Sequence, residues 1–519
     1  MKNITKYLII VAGIVLGFAC VKEPTMSATE IEQRSLKAWI EKYHPELLEN
    51  YQEEGGYYVE ILDRGVQDSL PITGKDAWLW VDFTARDLQG NVCETRSWEL
   101  ALQQNTYNNH THYTPVFRFS GKDSHTLLEG SYLAIFNKLK IGDEEFEARY
   151  GTRLRLYLPS TVTSSNTGGT ADGGYEGQYE LDGDKPAIVD MMVYGHITNP
   201  VAYEGNRVDS FANINGGLCT EHKAEPKEDE ESAEKSMRRR LTRADSEEGE
   251  EEIDTRPLEF FDGRWHQPID TLAQLYVNYA YSPARNTFDY NAIGVDTLMY
   301  PSENGYDKGK IYGSTTLADI DRRINEALVE RFGEGITYDE VLEADSLQTK
   351  ATANVWYIGR FLDGYVFDTN IDEVREIVFG DVGEAGEALS FETKKPLDND
   401  YILAWNYSLP TLRLGQWATI LTVSTYAYGI SGQVGAHTST TTGDTSAIDY
   451  ANYYNYMSYM NSMYGYGYGS MYNSGYYGYN PYYYGYNYVP SNTNTTTITT
   501  TATEIPSYSP MIFQVFVEK

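Results

Sequence analysis

Residues 351–370 read ATANVWYIGRFLDGYVFDTN. Aromatic and β-branched residues crowd the first half, Asp363-Gly364 supplies a turn, and a short apolar run returns to Phe367-Asp368. The stretch reads as a strand bearing Tyr and Gly followed by a DG..FD turn. The stretch is one of a series. It is followed by a Trp-bearing helical segment that ends in a Gly-Gln turn, LAWNYSLPTLRLGQ (403–416), then by a strand end YAYG (426–429). The series closes on IPSYSPMIFQVFVEK (505–519). An ordered series of this kind is far more specific than any one of its members.

Outward from it, the 519 residues are too many for one ordinary core and suggest roughly three domains. The 75 acidic residues outnumber the 41 basic ones, which argues against a nucleic-acid partner, because phosphate binding rests on cationic groups. Short alternating runs bounded by Gly, Pro and Asp recur in the first half: YYVEILDRG (57–65), AWLWVDFTA (77–85), TPVFRFSG (114–121) and RLRLYLPS (153–160). They predict an antiparallel sheet. Before them, Ile31, Leu36, Trp39 and Ile40 lie near helical spacing, with Ser27 or Thr29 as N-cap. This reads as a helix tethering the chain. After them, Glu221–Pro257 is nearly free of large apolar residues and reads as a disordered linker. Its basic knot, Arg238–Arg243, is flanked by acidic runs and reads as solvated charge. LAQLYVNYAYSP (272–283) reads as strand, and Ile320, Ile324, Leu328 and Phe332 mark an amphipathic helix ending at Gly333 or Gly335.

At the N-terminus Lys2 and Lys6 precede YLIIVAGIVLGFAC, an apolar run too short for a comfortable membrane span. Cleavage between Ala19 and Cys20 resembles a bacterial lipoprotein signal, with Gly17 and Phe18 departing from the usual pattern. Lipid on Cys20 then anchors the chain to a membrane. Only Cys93 and Cys219 remain, without metal-ligand spacing, and no disulfide is demanded. His110 and His112 in NNHTHY sit on one strand face without a third ligand nearby, so surface histidines are expected rather than a metal site.

The blocks from Ala351 onward resemble the FKBP-type peptidyl-prolyl cis-trans isomerases. The resemblance implies an α+β fold in which an antiparallel twisted sheet wraps on a short helix. Carried over position by position, it implies Trp405 as the floor of a prolyl pocket, with Tyr357, Phe367, Tyr428 and Phe513 as walls. Ile402 would offer a backbone N–H to the substrate carbonyl, Asp368 and the Tyr428 hydroxyl would supply polar contacts, and Ile505 would close the rim. Tyr401 stands where the family has a smaller aliphatic residue, which would narrow the pocket or shift its preference. No cofactor or metal is implied. The chemistry suits these residue types: an X-Pro bond isomerises over a barrier of about 18–20 kcal/mol because amide resonance is lost on twisting. A twisted amide has less charge separation, so a dry aromatic cavity disfavours the planar ground state.

WVDFTARDLQGNVCET (80–95) runs parallel to VWYIGRFLDGYVFDTN (355–370), and LEGSYLAIFNKLKIGD (128–143) to the Trp-bearing block. The first β region therefore also resembles an FKBP domain, a degenerate copy suited to docking or dimerisation. There Phe83, Cys93, Glu94 and Tyr132 stand for the tyrosine, phenylalanine, aspartate and tryptophan of the pocket.

The expected organisation is a signal peptide (1–19), a tether and helix (20–54), a degenerate FKBP-like domain (55–215) and an acidic linker (216–257). Intermediate strands and a helix (258–344) follow, completing the first β region or forming a small middle unit. The isomerase domain (345–519) carries a Tyr/Gly-rich insertion at 436–503 that includes YGYNPYYYGYNY (477–488). In the family the flanking blocks are joined by a short loop over the prolyl pocket, so the resemblance implies that the tract lies on the pocket's own lip, where tyrosines suit partner or client binding, ahead of self-capping and then an inert spacer. The expected function is a prolyl isomerase or folding factor of the bacterial cell envelope, acting on proline-containing secreted or outer-membrane clients. The alternative is a non-catalytic scaffold in outer-membrane assembly or secretion machinery. The combination resembles outer-membrane folding lipoproteins of Bacteroidota-type bacteria, with the membrane face left open.

Overall fold

The computed structural model describes residues 27–72, 78–105, 107–121, 125, 127–163, 186–219, 259–269, 271–290, 315–380, 385–433, 435–442 and 495–519. Cys20, the basic knot, most of the acidic linker and the tyrosine tract lie outside them. Among the described residues no helix is long and apolar enough to cross a membrane.

The architecture is α+β, with two antiparallel sheets. The first contains β1 (Tyr51–Gln52), β2 (Tyr57–Arg64), β3 (Trp78–Asp87), β4 (Val92–Thr95), β5 (Val116–Phe119), β8 (Thr152–Leu158) and β9 (Ala187–Ile197). A small hairpin, β6 (Leu139–Ile141) with β7 (Glu144–Phe146), stands apart from it. The second contains β10 (Leu275–Asn278), β11 (Thr352–Phe361), β12 (Val366–Thr369), β13 (Leu389–Glu392), β14 (Trp417–Thr422) and β17 (Met511–Val517). β15 (Ala436–Thr442) and β16 (Thr495–Ala502) form a separate two-stranded ribbon.

Strand for strand the sheets repeat each other. The order β2-β8-β9-β3-β4 with β5 on β3 matches β10-β14-β17-β11-β12 with β13 on β11. The register agrees to the residue. Thr84, Ala85 and Arg86 face Thr95, Glu94 and Val92, with a bulge after Ala85. Ile358, Gly359 and Arg360 face Thr369, Asp368 and Val366, with a bulge after Gly359. Even the arginine contacts recur: Arg86 reaches Asp190 on β9, and Arg360 reaches Gln514 at the equivalent position of β17.

Each sheet is covered on both faces, which is why β14 and β17 are buried along their whole length and read as continuous apolar runs. Trp356, Phe516 and Trp417 line up across β11, β17 and β14, and Phe332 of helix α5 (Leu317–Phe332) lies 4.9–5.7 Å from all three rings. The opposite face packs on α7 (Leu403–Ser408), the helix of the Trp-bearing block. In the first sheet the outer face is covered by α1 (Ala28–Tyr43), whose Leu36 and Ile40 bury against Tyr58 and Tyr157. Ser27 caps α1 in a reciprocal box with Glu30. The expected tether helix is thus folded onto the sheet, because its apolar stripe meets an aromatic row.

Two expected boundaries also move. Residues 258–344 neither complete the first β region nor form a middle unit: β10 pairs with β14, and α5 buries Ile320, Ile324 and Leu328 in the second core. Helix α4 (Pro200–Ile214), which a first domain ending at 215 would include, buries Val208, Phe211 and Ala212 in that same core. The spacing of these side chains puts them on one face, which meets Trp265 and Phe288.

Candidate active site

The site is assembled on the inner face of the second sheet. Alternation along β11 sends Tyr357 and Gly359 to that face, and pairing with β17 sets Phe513 opposite Gly359. The bulge after Gly359 shifts β12 so that Phe367 lies over the glycine; a Cβ at 359 would stand 2.6 Å from the Phe367 ring. Glycine is needed there for close packing. The corresponding pair in the first sheet is Ala85 with Cys93, where the wall side chain has shrunk and a methyl fits.

Trp405 sits in the first turn of α7, 5 % exposed. Its indole lies edge-on to Tyr357 at 4.9 Å and to Phe513 at 5.4 Å, and tilted against Tyr401 at 5.9 Å. Phe367 meets Phe513 and Tyr428 edge-on, each at 6.0 Å. Thus Trp405, Tyr357, Phe513, Phe367 and Tyr428 form one connected aromatic cluster of edge-to-face contacts. The buried Trp405 Nε1–H has no acceptor among the described residues.

Asp368 stands at the polar side of the cluster and accepts the Tyr357 hydroxyl at 2.5 Å. Burial raises its carboxyl above the ordinary range, against the opposing pull of Tyr357, the Thr369 backbone and Arg375. Desolvation, then the Asp368 charge, pushes the Tyr357 and Tyr428 hydroxyls up. Both effects mark a dry site. Ile402 is the N-cap of α7; its carbonyl accepts from Trp405 and Asn406. Tyr401, tilted against Trp405, also donates its hydroxyl to Ser390 O at 3.0 Å and stacks its ring on Phe391. Ile505 is buried and exchanges two backbone hydrogen bonds with Gln433. Among the described residues no group of three or more His, Cys, Asp or Glu side chains is placed to hold a metal ion.

The same position in the first copy is filled differently. Leu128 N-caps α3 (Glu129–Phe136) with φ −56° and ψ 138°, as Ile402 caps α7 with φ −59° and ψ 145°. Counting from the caps, Ser131 corresponds to Trp405, so Tyr132 is not the floor residue expected from sequence. Tyr132 instead stacks on His125 at 4.1 Å. Phe83, Cys93 and Glu94 do occupy the positions of Tyr357, Phe367 and Asp368, and Val189 replaces Phe513. Cys93 and Cys219 are free thiols.

His110 and His112, expected at the surface, lie between the copies. His112 Nε2 is 2.7 Å from Asp363 Oδ2, and its ring stacks on Tyr365 at 4.4 Å and Phe361 at 5.0 Å. His110 stacks on Phe379 at 4.1 Å, at the end of α6 (Asp372–Phe379). The sequence carried no signal for this, because the partners are about 250 residues away.

No protein-family model matches the chain, and no curated protein does. Among solved structures it is matched by FkpA from Escherichia coli, at 10 % identity over 38 % of this chain and 72 % of that one, with a TM-score of 0.20. A peptidyl-prolyl cis-trans isomerase from Pseudomonas syringae matches at 14 % identity over 33 % and 98 %, with a TM-score of 0.20. The three FKBP domains of wheat FKBP73 match at 12 % identity over 90 % and 95 %, with a TM-score of 0.18. The internal repeat described above stands independently of these matches.

Proposed function

We propose that the second copy is a peptidyl-prolyl cis-trans isomerase site of FKBP type and the first a non-catalytic companion. The observation that carries this reading is the aromatic cluster around Trp405, with the Tyr357–Asp368 hydrogen bond on one side. A prolyl ring placed on the indole would sit among apolar edges, with the Ile402 N–H as donor to the substrate carbonyl. The site needs no nucleophile. It lowers the barrier by disfavouring the planar, charge-separated amide more than the twisted one. Uncatalysed isomerisation takes tens to hundreds of seconds, long enough to limit folding. The substrates would be proline-containing polypeptides. Lipid on Cys20 would hold the protein in the cell envelope, at the outer membrane, where newly secreted chains fold.

The test is turnover of a proline-containing peptide by the whole chain beside Asp368→Ala/Trp405→Ala. A rate above background that the double variant loses supports the reading; no rate above background in the wild type ends it. The fragment 345–519 is unsuitable, since it lacks β10, α4 and α5. The binding-subunit alternative draws on the first copy, where Ser131 stands in place of the floor and the surface is spent on contacts with its neighbour.

A further inference from the structure

Two contacts between the copies reach residues 504–508, the segment that pairs with residues 430–433 immediately after Tyr428 of the aromatic cluster. Arg96, 4 % exposed, reaches from the end of β4 to Glu504 at 3.4 Å, and Trp78 at the start of β3 meets Tyr508 edge-on at 5.1 Å. Glu504 and Tyr508 flank Ile505, the residue at the rim. Tyr508 has φ +52°, a left-handed conformation that a bulky residue holds only where its surroundings impose it. On its own side Tyr508 is fixed by one backbone bond, from its N–H to Ile430 O at 3.2 Å. A second route reaches the wall: Phe361, which stacks on His112, lies 4.9 Å from Phe367.

We infer that the first copy is a built-in clamp for the prolyl pocket, with Arg96 and Trp78 as positioning residues that hold the lip at 503–510 closed over it. This deepens the isomerase reading and rests on it for the pocket's use. The physical basis is local stability. The lip is held to its own domain by the Ile505–Gln433 pair, the Tyr508 N–H bond to Ile430 O and Ser507 Oγ on Ser431 O, and the strained Tyr508 end is where side chains from the first copy add restraint. In the Arg96–Glu504 pair the guanidinium is 4 % and the carboxylate 23 % exposed, so the contact is partly desolvated and its removal weakens the hold of the first copy on the lip.

The experiment is hydrogen exchange on the whole chain, comparing wild type, Arg96→Gln, Arg96→Lys and Glu504→Gln, with prolyl turnover measured on the same samples. Expected is a rise of about tenfold in exchange for residues 503–510 in Arg96→Gln and in Glu504→Gln, with β11 unchanged and protection largely restored in Arg96→Lys. Turnover should fall mainly through a higher KM, because a loose lip weakens capture. Exchange at 503–510 equal to wild type in Glu504→Gln overturns the clamp, and this variant leaves the first sheet untouched should Arg96→Gln unfold it. A wild type without turnover defeats the isomerase reading alone, since lip exchange still decides the clamp.

Discussion

Ser131 stands where Trp405 would be expected, three residues after a helix cap of the same backbone conformation. One fold therefore appears twice in this chain, once with an aromatic floor and once without, and the difference can be used experimentally.

Replacing Trp405 by leucine gives the second site a floor without an aromatic face. Prolyl turnover by the whole chain should fall about tenfold or more, equivalent to about 1.4 kcal/mol of transition-state stabilisation or greater. Ser131→Ala in the first copy should leave kcat/KM unchanged. Both are read from peptide isomerisation kinetics after thermal unfolding confirms a folded sample.

Among the described residues the Tyr357 hydroxyl is the side-chain partner that opposes burial at Asp368 through a hydrogen bond. Tyr357→Phe should cost about 1–3 kcal/mol of stability, since a buried acceptor loses its donor. The Asp368 carboxyl should move further up. Denaturant unfolding measures the first, and a carboxyl NMR titration the second.

Asp82 on β3 gives the pH dependence a sign. Burial raises its carboxyl to about 6, against the opposing charges of Arg96 and Arg153. A folded pKa above the unfolded value of 3.8 means that folding favours the protonated form. The contribution to stability is therefore complete below pH 3.8 and is lost as pH rises toward 6. Asp82→Asn should raise Tm relative to wild type at pH 7.5 and leave it nearly unchanged at pH 4; calorimetry at the two pH values decides.

The second copy should not fold from residue 345. A fragment 345–519 leaves the β14 edge without β10 and exposes the row Trp356, Phe516 and Trp417 that Phe332 covers. A fragment starting at Asn199, the N-cap of α4, keeps these elements. Cooperative thermal unfolding followed by circular dichroism should be present in the longer fragment and absent in the shorter.

Much of this was legible without a structure. Alternation and turn residues marked β2, β3, β5, β8 and the β10 region, and the stripe of Ile320, Ile324 and Leu328 marked α5; β9, between β8 and β3, was not read, and the later strands of the second sheet came from the family resemblance. The parallel between residues 80–95 and 355–370 anticipated a repeat whose register agrees to the bulge. The cluster of Trp405, Tyr357, Phe367, Tyr428 and Phe513 came from ordered blocks, not from periodicity. Tyr132 is the nearest aromatic to the floor position in the sequence, but the matching caps at Leu128 and Ile402 put Ser131 there.

The chain's own order of residues thus determined β2, β3, β5, β8, α5 and the repeated stretch at 80–95 and 355–370, since these depend on neighbours a few positions away. Tertiary structure alone decided that α4 and β10 belong to the second copy, that α1 lies on the first sheet, and that His112 meets Asp363. Those pairings join residues far apart in sequence through burial of apolar surface, and burial has no direction that a local pattern could record.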